Sequence, residues 1–137
     1  GDRLAKQAGR ESFKYWIEGF GGLVSFADVL LRFLPLSLRV RIGVEVVAEI
    51  INRHTAERLV LGESHEQYLV KVETCGLCAG RRTDIPACGY MQGTLDELLF
   101  WVSRGRRFTI RETACIALGD PACVFAIDKV PPSSAGA

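Results

Sequence analysis

With 137 residues, 48% of them hydrophobic and 24% charged, the chain has room for one folded core and no more. Seventeen basic residues against sixteen acidic ones leave a net charge of +1, which excludes a single-signed field that would steer the domain to nucleic acid. No apolar run reaches the length of a membrane span, because Asp28, Arg32, Glu45 and Glu49 interrupt the greasy stretches.

Residues 3–18 fit a helix with Leu4, Ala8, Phe13, Trp16 and Ile17 as its apolar stripe, stopped by Gly19, Gly21 and Gly22. Ser25 caps a second helix to about Leu34, with Phe26, Val29, Leu30 and Phe33 turned inward. After Pro35 a third helix covers about 36–56. Its apolar positions are Val40, Val44, Val47, Ile50 and Ile51, and its length favours helix over strand despite the valines. Around Glu57 the period changes, and 57–61 and 67–74 flank a polar GESHE segment as a hairpin. A glycine and cysteine loop fills 75–88. Residues 89–103 are helical, with Met91, Leu95, Leu98, Leu99 and Val102 inward and Asp96 and Glu97 near the outer face. Strands are expected at 107–116 and 122–128, joined through a GDP turn. In the last one, Cys123, Phe125 and Ile127 share a face. Helices first and strands later make an α+β domain with an antiparallel sheet over 1–130. Pro131 to Ala137 reads as a linker stub, as expected for a domain cut from a longer protein. The basic runs Arg81–Arg82 and Arg104, Arg106 and Arg107 read as solvent-facing turn and edge residues.

The five cysteines, Cys75, Cys78, Cys88, Cys115 and Cys123, all lie in the second half. An odd count argues against a purely disulfide framework. No secretory signal is read, so a cytoplasmic setting with metal or redox chemistry is expected. Cys88 opens a helix, where backbone N–H groups stabilise a thiolate. Cys115 and Cys123 meet if their strands are antiparallel. Glu112 precedes Cys115 by three residues, so the two share a face only across a bulge or a strand end. Thiolates with a nearby carboxylate suit zinc. Two ligand sets compete: Cys88, Glu112, Cys115 and Cys123, or Cys75, Cys78 and Cys88 with Cys115 or Cys123. The bland alternative is that the cysteines are buried hydrophobes. Cys75-Gly-Leu-Cys78 lacks the strand-to-helix context of a dithiol catalyst.

Cys88–Gly89, Gly93, Glu112–Thr113, Cys115, Gly119, and Cys123 with Phe125 together resemble the 4-vinyl reductase (4VR) domain, from about Glu73 to Asp128. A weaker match upstream extends the likeness over most of the chain. That family includes a protein linked to bacteriochlorophyll synthesis, archaeal proteins, and sensor regions of transcriptional activators that respond to aromatics. The resemblance implies a structural zinc on Cys88, Glu112, Cys115 and Cys123, a fold akin to vesicle-tethering subunits, and a homodimer. It also implies an apolar effector pocket near the strand that holds Phe108 and Ile110.

Trp16, Phe20, Phe26, Phe33, Trp101, Phe108 and Ile110 are the candidates for lining such a pocket, against their reading as ordinary core. His54 and His65 read as solvent-facing and lack the spacing of a metal-binding pair. No nucleophile triad, phosphate loop or dinucleotide fingerprint is visible, so an enzyme is not expected. Three functions follow. The leading one is a sensor of a small hydrophobic or aromatic molecule that signals to a fused or partner domain. The others are an accessory factor that binds a tetrapyrrole intermediate and a zinc-stabilised dimerisation scaffold without a ligand.

Overall fold

The computed structural model describes residues 2–19, 29–54, 56–74, 80 and 88–132. In chain order these form α1 (Asp2–Gly19), α2 (Leu36–His54), β1 (Arg58–Glu63), β2 (Gln67–Thr74), α3 (Gly89–Val102), β3 (Ile110–Ala114), a 3-10 turn (Ile116–Leu118) and β4 (Cys123–Asp128). The fold is α+β, with N-terminal helices packed on a four-stranded antiparallel sheet of order β1-β2-β4-β3.

Strand alternation decides which side chains enter the core. One cross-strand row runs Leu61, Val70, Phe125 and Glu112. The next runs Leu59, Val72 and Cys123. Val70, Val72, Cys123, Phe125 and Ile127 are fully buried, so this face meets the helices. Lys71 and Arg111 lie on the opposite face and are exposed.

α2 packs on β1 through Val40, Val44 and Ala48, and Asn52 closes that joint from both sides. Its side-chain oxygen accepts the Leu59 N–H at 2.7 Å, and its amide nitrogen donates to the Leu59 carbonyl at 2.9 Å. α1 packs against α3 at very short range. A Cβ at Gly9 would overlap the backbone of Tyr90, and one at Gly93 would overlap that of Lys6, so only glycine permits the approach. Thr94 Oγ1 donates to the Gly9 carbonyl at 3.3 Å across the same crossing.

Two expectations about side-chain placement need correction. Phe33, read as inward, is 82% exposed, and Val29 and Leu30 are also exposed. The helix that carries them ends at Leu31, and Phe33 falls in the turn before Pro35, off any helical stripe. Leu31 and Leu36 pack on the core instead. Asp96 and Glu97, read as near the outer face, are buried. α3 is covered on several sides, and its acids are held by cations from other segments. Arg10 Nε donates to Asp96 at 2.8 Å, and Arg107 reaches Asp96 at 3.3 Å and Glu97 at 3.4 Å. Arg107 is therefore more than a solvent-facing edge residue, and it also lies 3.9 Å over the Phe100 ring.

Strand β3 is shorter than the 107–116 expected. Arg104 (φ 63) and Gly105 (φ 104) take the chain out of α3 in left-handed conformations, and pairing with β4 starts only at Ile110.

Candidate metal centre

Three segments converge at one end of the sheet. Cys88 caps the start of α3, Glu112 comes from β3, and Cys123 opens β4. The donor atoms of Cys88, Glu112 and Cys123 all lie within 4.8 Å of one another. Cys115 completes the group from the end of β3, its Sγ 4.0 Å from Cys123 Sγ. All three cysteines are fully buried and none forms a disulfide.

A local irregularity makes the convergence possible. The β3–β4 register shifts between Glu112 and Ala114: Glu112 pairs with Phe125, but Ala114 pairs with Val124. Two steps along β3 match one along β4, so Thr113 is the extra residue of a bulge. The bulge turns the chain so that Glu112 and Cys115, three residues apart, serve the same side.

The spacing of the sulfur atoms suits a metal ion. Thiolates at about 2.3 Å from a tetrahedral zinc lie about 3.8 Å from each other, whereas a disulfide holds its sulfurs at about 2.05 Å. Cys88 Sγ and Cys123 Sγ are 3.8 Å apart. The surrounding hydrogen bonds suit thiolates as well. Ile116 N–H donates to Cys123 Sγ at 3.3 Å, and Cys88 N–H donates to Glu112 Oε1 at 3.3 Å. The 115–120 turn is clamped by Asp120, whose Oδ2 accepts the Cys115 N–H at 2.9 Å. Such outer partners fix ligand orientation before any ion arrives. The donor set present fits a borderline-soft divalent cation. The alternative ligands Cys75 and Cys78 lie outside the described residues.

The aromatic residues singled out as a pocket do not share one place. Trp16 lines an open groove of about 1110 Å³ between α1, α2 and the start of α3. Phe108 and Ile110 line a separate, small pocket of about 160 Å³ beside Lys6, Arg10 and Asp96. Trp101 is half-buried against the core, and Phe33 faces solvent. Phe20 and Phe26 lie outside the described residues. His65 is exposed, and the His54 side chain also lies outside the described residues. Sequence reasoning missed the groove's contributions from Tyr90, Met91 and Thr94. They sit in the first turns of α3, and the heptad-like stripe of that helix points only to the sheet. Phe13 was visible as part of the α1 stripe, and it pairs with Trp16 at 5.9 Å between ring centroids.

Among the described residues no helix is long and apolar enough to cross a membrane. The family model of the 4-vinyl reductase (4VR) domain matches residues 69–129, which span β2, α3, β3 and β4. A crystal structure of a vinyl-4-reductase family protein from Methanocaldococcus jannaschii has a similar fold. Its TM-score is 0.53 at 20% sequence identity, covering 91% of this chain and 92% of that one. No curated protein matches the chain. The strand order, the Cys–Glu–Cys convergence and the family match together identify the chain as carrying a domain of the 4-vinyl reductase family.

Proposed function

We propose that this 4VR domain is a zinc-stabilised accessory module that holds a hydrophobic ligand on its helical layer and catalyses no reaction itself. Cys88, Glu112, Cys115 and Cys123 would hold the zinc. The ion would supply a redox-inert cross-link between the start of α3, the end of β3 and the start of β4. Reduced thiols require a reducing compartment, so the proposed setting is cytoplasmic.

The observation that carries the ligand-holding role is the groove. It is large enough for a polycyclic molecule, it is mostly apolar, and it opens to the surface. An open groove suits loading and handing over a ligand, as an accessory factor for a tetrapyrrole or similar planar intermediate would do. An effector sensor that signals to a fused or partner domain would gain more from an enclosed cavity. The exposed Leu30 and Phe33 offer an apolar surface to a second copy of the chain.

Elemental analysis with native mass spectrometry, on protein purified without added metal, tests the zinc. One zinc per chain is expected. Metal-free protein that melts at the same temperature with and without a chelator would overturn the structural site.

A further inference from the structure

We infer that the groove between α1, α2 and α3 selects a ligand with a positive charge on an aromatic or apolar body. This deepens the ligand-holding role proposed above and rests on it.

The groove's apolar wall is aromatic where it matters for a cation. Phe13 and Trp16 stand as a tilted pair on α1, and Tyr90 faces them from α3. Phe13 is buried, while Trp16 and Tyr90 are half-buried and so remain available to a ligand. An aromatic face attracts a cation through its quadrupole, and the indole ring does so best.

The charges of the groove have the same sense. Among the described lining residues are three carboxylates, Glu11, Glu18 and Glu57, and one ammonium, Lys14. Lys14 is itself engaged with Glu11 at 3.5 Å, on the same face of α1. α1 also brings its C-terminal end to the groove through Glu18 and Gly19, and no basic residue stands in its last turn. The partial negative charge of a helix C-terminus therefore adds to Glu18. α2 enters by its later turns, through Val47, Ile50 and Ile51. Only α3 brings a positive end, and the N–H of Cys88 at that end is taken by Glu112 in the metal cluster.

An anionic ligand would meet carboxylates and a helix C-terminus. A neutral one would gain burial only. A quaternary or protonated amine attached to a ring system would gain burial, cation–π attraction and Coulomb attraction together.

Three probes of one shape separate these cases: naphthylmethyl-trimethylammonium, naphthylmethanol and naphthoate, titrated calorimetrically into the zinc-loaded protein. The cation is expected to bind at least about tenfold more tightly than the alcohol, with naphthoate weakest. Added salt should narrow the gap. Glu18→Gln combined with Glu57→Gln should remove most of the preference while leaving alcohol binding and thermal melting unchanged. Trp16→Leu should weaken the cation more than the alcohol. Equal binding of cation and alcohol, or tighter binding of naphthoate, would overturn the charge selection and leave the groove as a general hydrophobic site. Binding of none of the three would overturn both the selection and the ligand-holding role. The probe comparison needs only the wild-type protein, so a variant that fails to fold does not block the test.

Discussion

The Cys88 N–H donates to Glu112 Oε1 at 3.3 Å, across 24 residues of sequence, and so ties the start of α3 to β3 at the candidate metal centre. Glu112 has two separable jobs there, acceptor for a helix terminus and metal ligand. Glu112→Gln keeps an acceptor for Cys88 N–H but is a poor anionic ligand. Its zinc affinity, measured by competition with a chromophoric chelator, is expected to fall by roughly an order of magnitude or more. Unchanged affinity would make Glu112 a structural acceptor only.

Cys123 stands between Cys88 and Cys115 at 3.8 and 4.0 Å and also takes the Ile116 N–H. Cys123→Ser is expected to lose metal and to aggregate or melt far earlier. Acidification should act in the same direction, because protons compete with the metal for thiolates, so affinity falls as pH falls. Zinc released into a dye assay, followed alongside near-ultraviolet circular dichroism, should rise together with the loss of tertiary signal. Release without unfolding would show that the ion does not hold the fold.

At the α1–α3 crossing, Gly93→Ala forces a Cβ into the backbone of Lys6. The expected cost is roughly 1–3 kcal/mol in chemical denaturation, since two helix backbones must separate. Gly19→Ala, where no atom lies within 4 Å of the added Cβ, is the matched control and should be nearly neutral.

Asp96 is approached by Arg10 and Arg107, both about half exposed, while its own side chain is 12% exposed. Asp96→Asn leaves these guanidinium groups able to turn to water, so the loss should be modest, about 1–2 kcal/mol. A larger loss in a urea titration would mean that the pairing is far better shielded than the exposure of its arginines indicates.

Phe33→Ser removes an exposed ring that contributes nothing to the core. Melting of the dilute protein should not change. Light scattering at high concentration should show weaker self-association if Leu30 and Phe33 form the face to a second copy.

The order of helices and strands was legible because the apolar period changes from helical to alternating at Glu57 and again after Gly105. β2 and β4 alternate cleanly, and Val70, Val72, Phe125 and Ile127 all reached the core face. The need for a bulge or strand end between Glu112 and Cys115 was also legible, because three residues on a regular strand reverse the side-chain direction. What could not be read depends on partners far away in sequence. Asp96 lies 86 residues from Arg10, so nothing local marks it as buried. The groove escaped notice for a similar reason: three helices contribute to it, and no one of them shows it. Phe33 was misplaced by extending a helix three residues too far, which is the usual weakness of boundaries set by apolar period alone.

The sheet order β1-β2-β4-β3 puts the last strand of the chain at an inner position, hydrogen-bonded on both sides. During synthesis the hairpin of β1 and β2 can form early, but β2 must keep one edge unsatisfied until residues 123–128 arrive. Cys123 is the first residue of that strand, so the arrival that completes the sheet also delivers the last thiol to the other two. Backbone closure and assembly of the thiol cluster are therefore one late event. A chain shortened before Cys123 loses the middle of its sheet and a metal ligand together, and should be degraded or aggregate rather than survive as a smaller domain.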